Sequence, residues 1–566
     1  MTNGITSSGS ITLGSGMTIS GSGALNMNAT GTLTSNGKTW PNAMTLNGTS
    51  TITLAASLNV SGTLTLGGST LTTTINGAFN INAGGSLTYS GTGTITGSAT
   101  VVMNGTGTLT GSSGAIISIA NTINSSGTIT INNTLSIGGV FTYTAATLVL
   151  TGCILTPRNT STLNVSGVTW PAINFSTTQT ITLLSDLNCS GTLTLGNSTQ
   201  VTTVNGLFNI NIAGSITAAS LTSGSYIGTA TYVMNGTGTL SINASVTSGF
   251  ISNNLTFTGS GVTVSGLIPY KTGTLTNSGA TVTTTGSTLS LLAATTLATN
   301  GITWNNITVA SGITLTLNSA LQSSGTITTA GTTTINGSAL TGFSWEAGTT
   351  TLAGSSNVTF SGGTALVPNT INGTSLTVNK TNTLTIAGVT NWTVTTFTNT
   401  AGTVSGTGTL AISGSRTFAG STTAWTSWNI SGSPTLTLNA TQTLAGTLNF
   451  GTSCTFAGTN GWTATNVIAS ALGSTIILVS TKTYTITTSF IGSGILGNVV
   501  LFRSSIGASQ AILTLNVGAS QSLYYVNATD IDSSAGQTVA SMYGTLSNAT
   551  NWVVASSLAT SYCFIS

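Results

Sequence analysis

Charge is nearly absent from this sequence. Of 566 residues seven are Lys or Arg, four are Asp or Glu and none is His, so charged side chains make up 2% of the chain, where about a quarter is usual. The cations Lys38, Arg158, Lys271, Lys380, Arg416, Lys482 and Arg503 are scattered singly and form no patch that could follow a phosphate backbone, which sets nucleic acid aside as a partner. Without His, neither a Ser-His-Asp nor a Cys-His arrangement can be built. General acid–base chemistry needs two titratable groups within reach of each other. Asp186 and Glu346 sit in different parts of the chain, which leaves Asp530 and Asp532 as the one candidate pair. The four cysteines, Cys153, Cys189, Cys454 and Cys563, lie far apart in no metal-binding spacing and are too few for a disulfide scaffold. No apolar run approaches the ~18 residues of a membrane helix, so no membrane insertion is expected. The start, MTNGITSSGSITLGSG, lacks the basic and apolar regions of a secretory leader.

Low charge with abundant Gly, Ser, Thr and Asn suits a disordered chain, but the pattern argues otherwise. Leu, Ile, Val and Phe recur at alternate positions in short runs such as Thr51-Ile52-Thr53-Leu54, each followed by Gly or Asn, and that much regularly placed apolar surface can offset the entropy of ordering. Helix-favouring Glu, Lys, Arg and Gln are scarce and no segment shows the helical period, so an all-β fold is predicted. Sandwich strands recur about every 8 to 12 residues in blocks of about 100. Here three short strands fit into roughly 20 to 25 residues, the length of one solenoid coil, so the expected fold is a β-solenoid, parallel β-helix-like, with aliphatics inward and Thr and Asn ladders outside. At ~22 residues per coil and ~4.8 Å per coil, about 25 coils would extend on the order of 120 Å.

Superimposed on the coil is a longer repeat. The stretch from Trp40, WPNAMTLNGTSTITLAASLNVSGTLTLG, recurs in recognisable form from Trp170, Trp304 and Trp428, at spacings of 130, 134 and 124 residues. The first two copies stay aligned at a constant offset of 129 from Thr63 to Asn82 and from Thr192 to Asn211. These marker tryptophans divide the chain into N-terminal coils (1–39), solenoid blocks (40–169, 170–303 and 304–427), a partial block (428–471) and a C-terminal β module (472–566). A block of about six coils is a duplicated stack and not a single coil. Trp is too large for a repeating slot in a narrow coil, which predicts that it covers a corner or marks a change of coil shape, with Pro41 and Pro171 ending local pairing.

The C-terminal module has longer apolar strands, Ile476–Val479, Val499–Phe502 and Ala511–Thr514, and reads as a unit that blunts the exposed edge of the last coil. Asp530 and Asp532, at i and i+2 on a strand, would share a face and with Ser534 could bind calcium weakly; no other cofactor is indicated. TxT pairs (Thr51/Thr53, Thr63/Thr65, Thr180/Thr182, Thr314/Thr316, Thr435/Thr437) are similar to the threonine ranks of ice-binding solenoids, but any solenoid with Thr outside produces them and they do not recur at one coil period. About two dozen Asn-x-Ser/Thr sequons follow from composition alone.

In composition the whole chain resembles the Gly/Thr/Ser/Asn-rich β-solenoid fibres of bacteriophages and the passenger regions of bacterial adhesins. The stretch DIDSSAGQTVASMYGTLSNATNW (530–552) is similar to a terminal segment of phage and environmental-virus structural proteins. The resemblance implies a non-enzymatic fibre at a virion surface. Its expected partners are further copies of itself, other virion proteins and a host surface glycan or protein. The alternative is a secreted adhesin or self-assembling extracellular filament; an ice-binding protein and a glycan depolymerase rank below it. An initial Met without a leader favours the virion reading, since adhesin passengers need export.

Overall fold

Alternating Thr or Asn with Leu, Ile or Val puts aliphatic side chains on one face of a short strand and hydroxyls and amides on the other, and the following Gly or Asn lets the backbone turn. Among the described residues the computed structural model realises this pattern as 62 strands and no helix. Described are residues 4–555 except 50, 69, 176, 197–200, 219–224, 243–250, 271–272, 285, 300, 311, 320, 330–332, 338–343, 353–356, 362–368, 380–382, 387–388, 401–402, 406, 421–423 and 426. Between 322 and 389 the strands are described by their backbone, with side chains placed at Ile371 and Leu376. The chain forms two compact units, Met1–Ser287 and Thr288–Ser566, and each is a β-solenoid of stacked parallel strands.

In the first unit three strands make one coil, as in Thr51–Leu54, Leu58–Val60 and Leu64–Gly67, and each pairs in parallel with its counterpart in the next coil, Thr73–Asn76, Asn80–Ala83 and Leu87–Ser90. One core column reads Leu25, Met44, Leu64, Leu87, Leu109, Ile131, Leu150, in steps of 19 to 23 residues, which matches the expected coil length. Outward residues stack likewise. The Asn82 amide donates to Asn59 Oδ1 at 2.8 Å, and the duplicated pair, 129 residues on, repeats it from Asn211 to Asn188 at 2.8 Å. Some corners admit only Gly. Gly97 has φ +129°, and a Cβ there would collide with the Ile75 carbonyl.

The tryptophans correct one expectation, because they fill the core instead of covering corners. Trp40, Trp170, Trp304 and Trp428 are at most 2% exposed. In the next coil Trp40 pairs in register with Val60 and Trp170 with Cys189. The Trp40 indole N–H donates to the Ala43 carbonyl at 3.1 Å. In the fourth copy the residue in the Trp40 slot is Trp425. It pairs with Leu444 as Trp40 pairs with Val60, while Trp428 pairs with Leu448 as Met44 pairs with Leu64. One residue fewer separates the two slots there, so the alignment of indoles in sequence picks the wrong one.

The long repeat and the coil are also out of phase. Partners of Trp40 run through Val60, Ala83, Met103, Ile123 and Tyr143, and Thr142 then pairs with Asn164, so six steps end beside residue 165, five short of Trp170. Trp170 therefore lies on the next strand of its coil and heads a new column, Cys189, Ile212, Met234, Phe257. The second block is turned by one strand position relative to the first. At that junction the middle of the strand Val140–Pro157 has no forward ladder partner among the described residues. Only Val140–Thr142 pair onward with Thr162–Asn164, and only Ile154 and Leu155 with Ala172 and Ile173.

In the second unit an aromatic cluster fills the core where the fourth copy begins. Trp425 lies 4.8 Å from Phe397 and 5.8 to 5.9 Å from Trp392, Phe418 and Trp428, and its indole N–H donates to Gln442 Oε1 at 2.8 Å. Toward the C-terminus the parallel ladders continue, Cys454–Ile476 followed by Ile476–Phe502 and Phe502–Ala528. Here the step widens to 26 residues (Thr475 to Leu501) and 31 (Ser489 to Ser520), then narrows to 13 (Val539 to Trp552). Two antiparallel bridges, Ile495–Asn498 and Ile506–Ser509, close the longer turns that the wide coils need.

Candidate functional site

Chemistry in so uncharged a chain would rest on its acids, and each Asp side chain among the described residues is held by a hydrogen bond within a turn or between coils. Asp186 Oδ1 accepts the Asn209 backbone N–H, one coil later, at 2.9 Å. Glu346 lies on the strand Ser344–Leu352 in register between Gln322 and Asn372, and its side chain is outside the described residues. Asp530 and Asp532 do not form the shared face expected of an i, i+2 strand pair. Asp530 has φ +54°, between the strands Val526–Thr529 and Ile531–Asp532, so the alternation breaks and Asp530 and Ile531 are both buried. Asp530 Oδ1 accepts from the Asn548 amide at 2.6 Å, and Asp532 Oδ1 accepts the Ser534 N–H at 2.8 Å in a local turn. These contacts use the carboxylates to fix turns, and among the described residues no three His, Cys, Asp or Glu side chains come together.

The described cysteines are sealed in the core. Cys153, Cys189 and Cys454 are buried free thiols. Burial pushes the Cys153 thiol up to about 12 and Cys189 up to about 11, so both are neutral and inert as nucleophiles near neutral pH. Cys563 lies outside the described residues. Burial likewise raises the phenols of Tyr89, Tyr226, Tyr232, Tyr270 and Tyr484 and lowers the guanidinium values of Arg158 and Arg416. Tyr89 donates to Asn121 Oδ1 across the core, a structural bond between coils.

What the surface offers is the outward columns. Thr45, Thr65, Thr88 and Thr110 stack in register, and the column continues as Asn132 and Thr151. Beside Thr51–Thr74–Thr96 the neighbouring column reads Thr32, Thr53, Asn76. Threonine ranks two abreast thus give way to Asn within a few coils. Sequence reading missed a second surface in the last coils. Tyr525 and Tyr543 stack at 5.2 Å, and Leu472, Ile495, Leu496 and Tyr524 are exposed, Leu496 to 82%. Their only signal was aliphatics set between glycines, as in Gly494-Ile495-Leu496-Gly497. No helix of the described residues is long and apolar enough to cross a membrane. Comparison of the chain with protein-family models, with curated proteins and with solved structures finds no match.

Proposed function

We propose that this chain is a non-enzymatic structural fibre of a virion, extending reach and contacting the host surface, and that it works as a homo-oligomer or repeated filament subunit. The observation carrying this reading is the pairing of long parallel ladders with an exterior of Thr, Asn and Ser in which every described carboxylate serves a turn or a coil-to-coil bond. Such a scaffold grows by adding coils and places surface far from its point of attachment. Self-association follows from the missing charge. Exposed β faces and edges commonly avoid each other through charged side chains, and a chain with eleven in 566 residues has little of that protection, which is tolerable where identical partners cover it.

The test is labelling in the source material. Gold-tagged antibody against the purified chain should decorate projections on virus particles. Label on cell surfaces with no particles would replace this reading with that of a secreted adhesin. A hydrolysed host glycan would reject the non-enzymatic assignment.

A further inference from the structure

The junction between the first two blocks leaves a strand edge open inside the first unit. Val140–Pro157 is paired along Asn121–Ile137 on one side, yet from Tyr143 to Cys153 it has no ladder partner on the other among the described residues. The core is less covered there. Ile129 and Ile131 are fully buried, while Leu148 and Leu150, paired with them one coil later, are half-buried; Val149 between them, in register with outward Thr130, is 42% exposed. Gly152, at φ +62°, has no atom near the place of a Cβ. At the start of the run the Tyr143 hydroxyl accepts the Ala146 N–H at 3.2 Å and donates to the Ala146 carbonyl at 2.6 Å. That bond satisfies the bend and leaves Thr147–Thr151 as a straight open edge.

Natural edges are blunted by charge, by Pro or by a cover. None of the first two is present, since no Lys, Arg, Asp or Glu lies between Lys38 and Arg158 and no Pro between Pro41 and Pro157. We propose that Thr147–Thr151 is an acceptor for one extended, uncharged strand of a partner polypeptide, bound by β-strand addition. Main-chain N–H and C=O groups in a row are matched by another β backbone, and alternate side chains of the added strand select for chemistry. Here the selecting surface is Leu148 and Leu150, which call for aliphatic residues at alternate positions. A charge placed beside them would find no counter-charge within the surrounding sequence. Because Thr160–Asn164 and Thr169–Phe175 pair onto the same strand at either end of the gap, the opening suits a single strand and not the face of a folded domain. The rung one coil earlier, Thr128-Ile129-Thr130-Ile131, gives the pattern such a strand should carry.

The experiment uses the full chain and a fluorescent peptide of three Thr-Leu repeats flanked by lysines for solubility. Anisotropy should show saturable binding, weakened about tenfold or more by Val149→Lys and by a peptide with Pro in place of the middle Leu, and unchanged by Leu207→Lys at a distant exposed site. Amides of Thr147–Thr151 should exchange about tenfold more slowly when the peptide is bound. Thr147→Lys serves as the second edge variant should Val149→Lys lower the melting temperature. Absence of saturable binding, or equal binding by wild type and both edge variants, overturns the proposal. Protection of 147–151 in the chain alone, with a concentration-dependent dimer that Val149→Lys abolishes, would give the edge to a second copy and overturn it too.

Discussion

Inward and outward positions along one strand differ in what they tolerate. Leu64 is fully buried between Met44 and Leu87, and Thr65 beside it is half-buried on the outside. Leu64→Asp leaves an unpaired carboxylate in the core at a cost of several kcal/mol, whereas Thr65→Asp meets water. Limited proteolysis should therefore cut the Leu64→Asp chain near residues 44 to 87 and leave Thr65→Asp intact, and equal protection would refute the facing. Trp425→Ala removes the ring at the centre of five and strands the Gln442 amide oxygen, so a loss of about 3–5 kcal/mol is expected in chemical denaturation. At Asp530 and Asp532 the turn bonds predict that calcium against chelator leaves the melting temperature unchanged. A rise with calcium would mean that these side chains reorganise into a site.

Elements here take their stability from neighbours in the stack, because strands of three to five residues are too short to stand alone. Close approach between coils is consequently strict. Gly97→Ala would force a Cβ against the Ile75 carbonyl at φ +129°, and should destabilise by more than the ~1 kcal/mol of an ordinary Gly/Ala exchange. Denaturant midpoints measured beside those of an open-space glycine such as Gly16 would check this, since nothing lies near a Cβ there. The Asn59–Asn82 and Asn188–Asn211 bonds show the same dependence on outward side chains. Duplication copied the bond together with the fold.

For the whole molecule the titratable groups set a one-sided pH response. Cys and Tyr side chains buried neutral have folded values above their ordinary 9.0 and 10.0. The unfolded chain thus loses protons first, so this stability is fully present below about 9 and falls as pH rises toward the folded values, about 11 for Cys189 and 12 for Cys153. With no His, thermal melts should be flat from pH ~5 to 8 and decline above ~9. Association should be indifferent to salt over the same range, because few charges exist to be screened. Light scattering that shows dissociation under modest salt, or a stable monomer at micromolar concentration, would refute the explanation offered for the missing charge.

How much of this was legible beforehand divides by the range of the interaction concerned. Alternation of Thr with Leu or Ile, the Gly and Asn turns and the ~22-residue spacing are local, and they determined strands, facing and coil length: Leu64 and Thr65 lie where period two puts them. Three things depended on how coils stack. Trp lies inside in register with a residue one coil away, Val60 or Cys189, about twenty positions off. That Trp425 and not Trp428 takes the Trp40 slot depends on which strand it pairs with. The open edge at Thr147–Thr151 arises because a 130-residue block is not a whole number of coils, a mismatch that only the pairing register reveals. A backbone turned left-handed at Asp530 likewise undid a shared face that strand periodicity alone required. Period and polarity act within a strand, while register and ring packing are decided between strands, and only the tertiary structure brings those together.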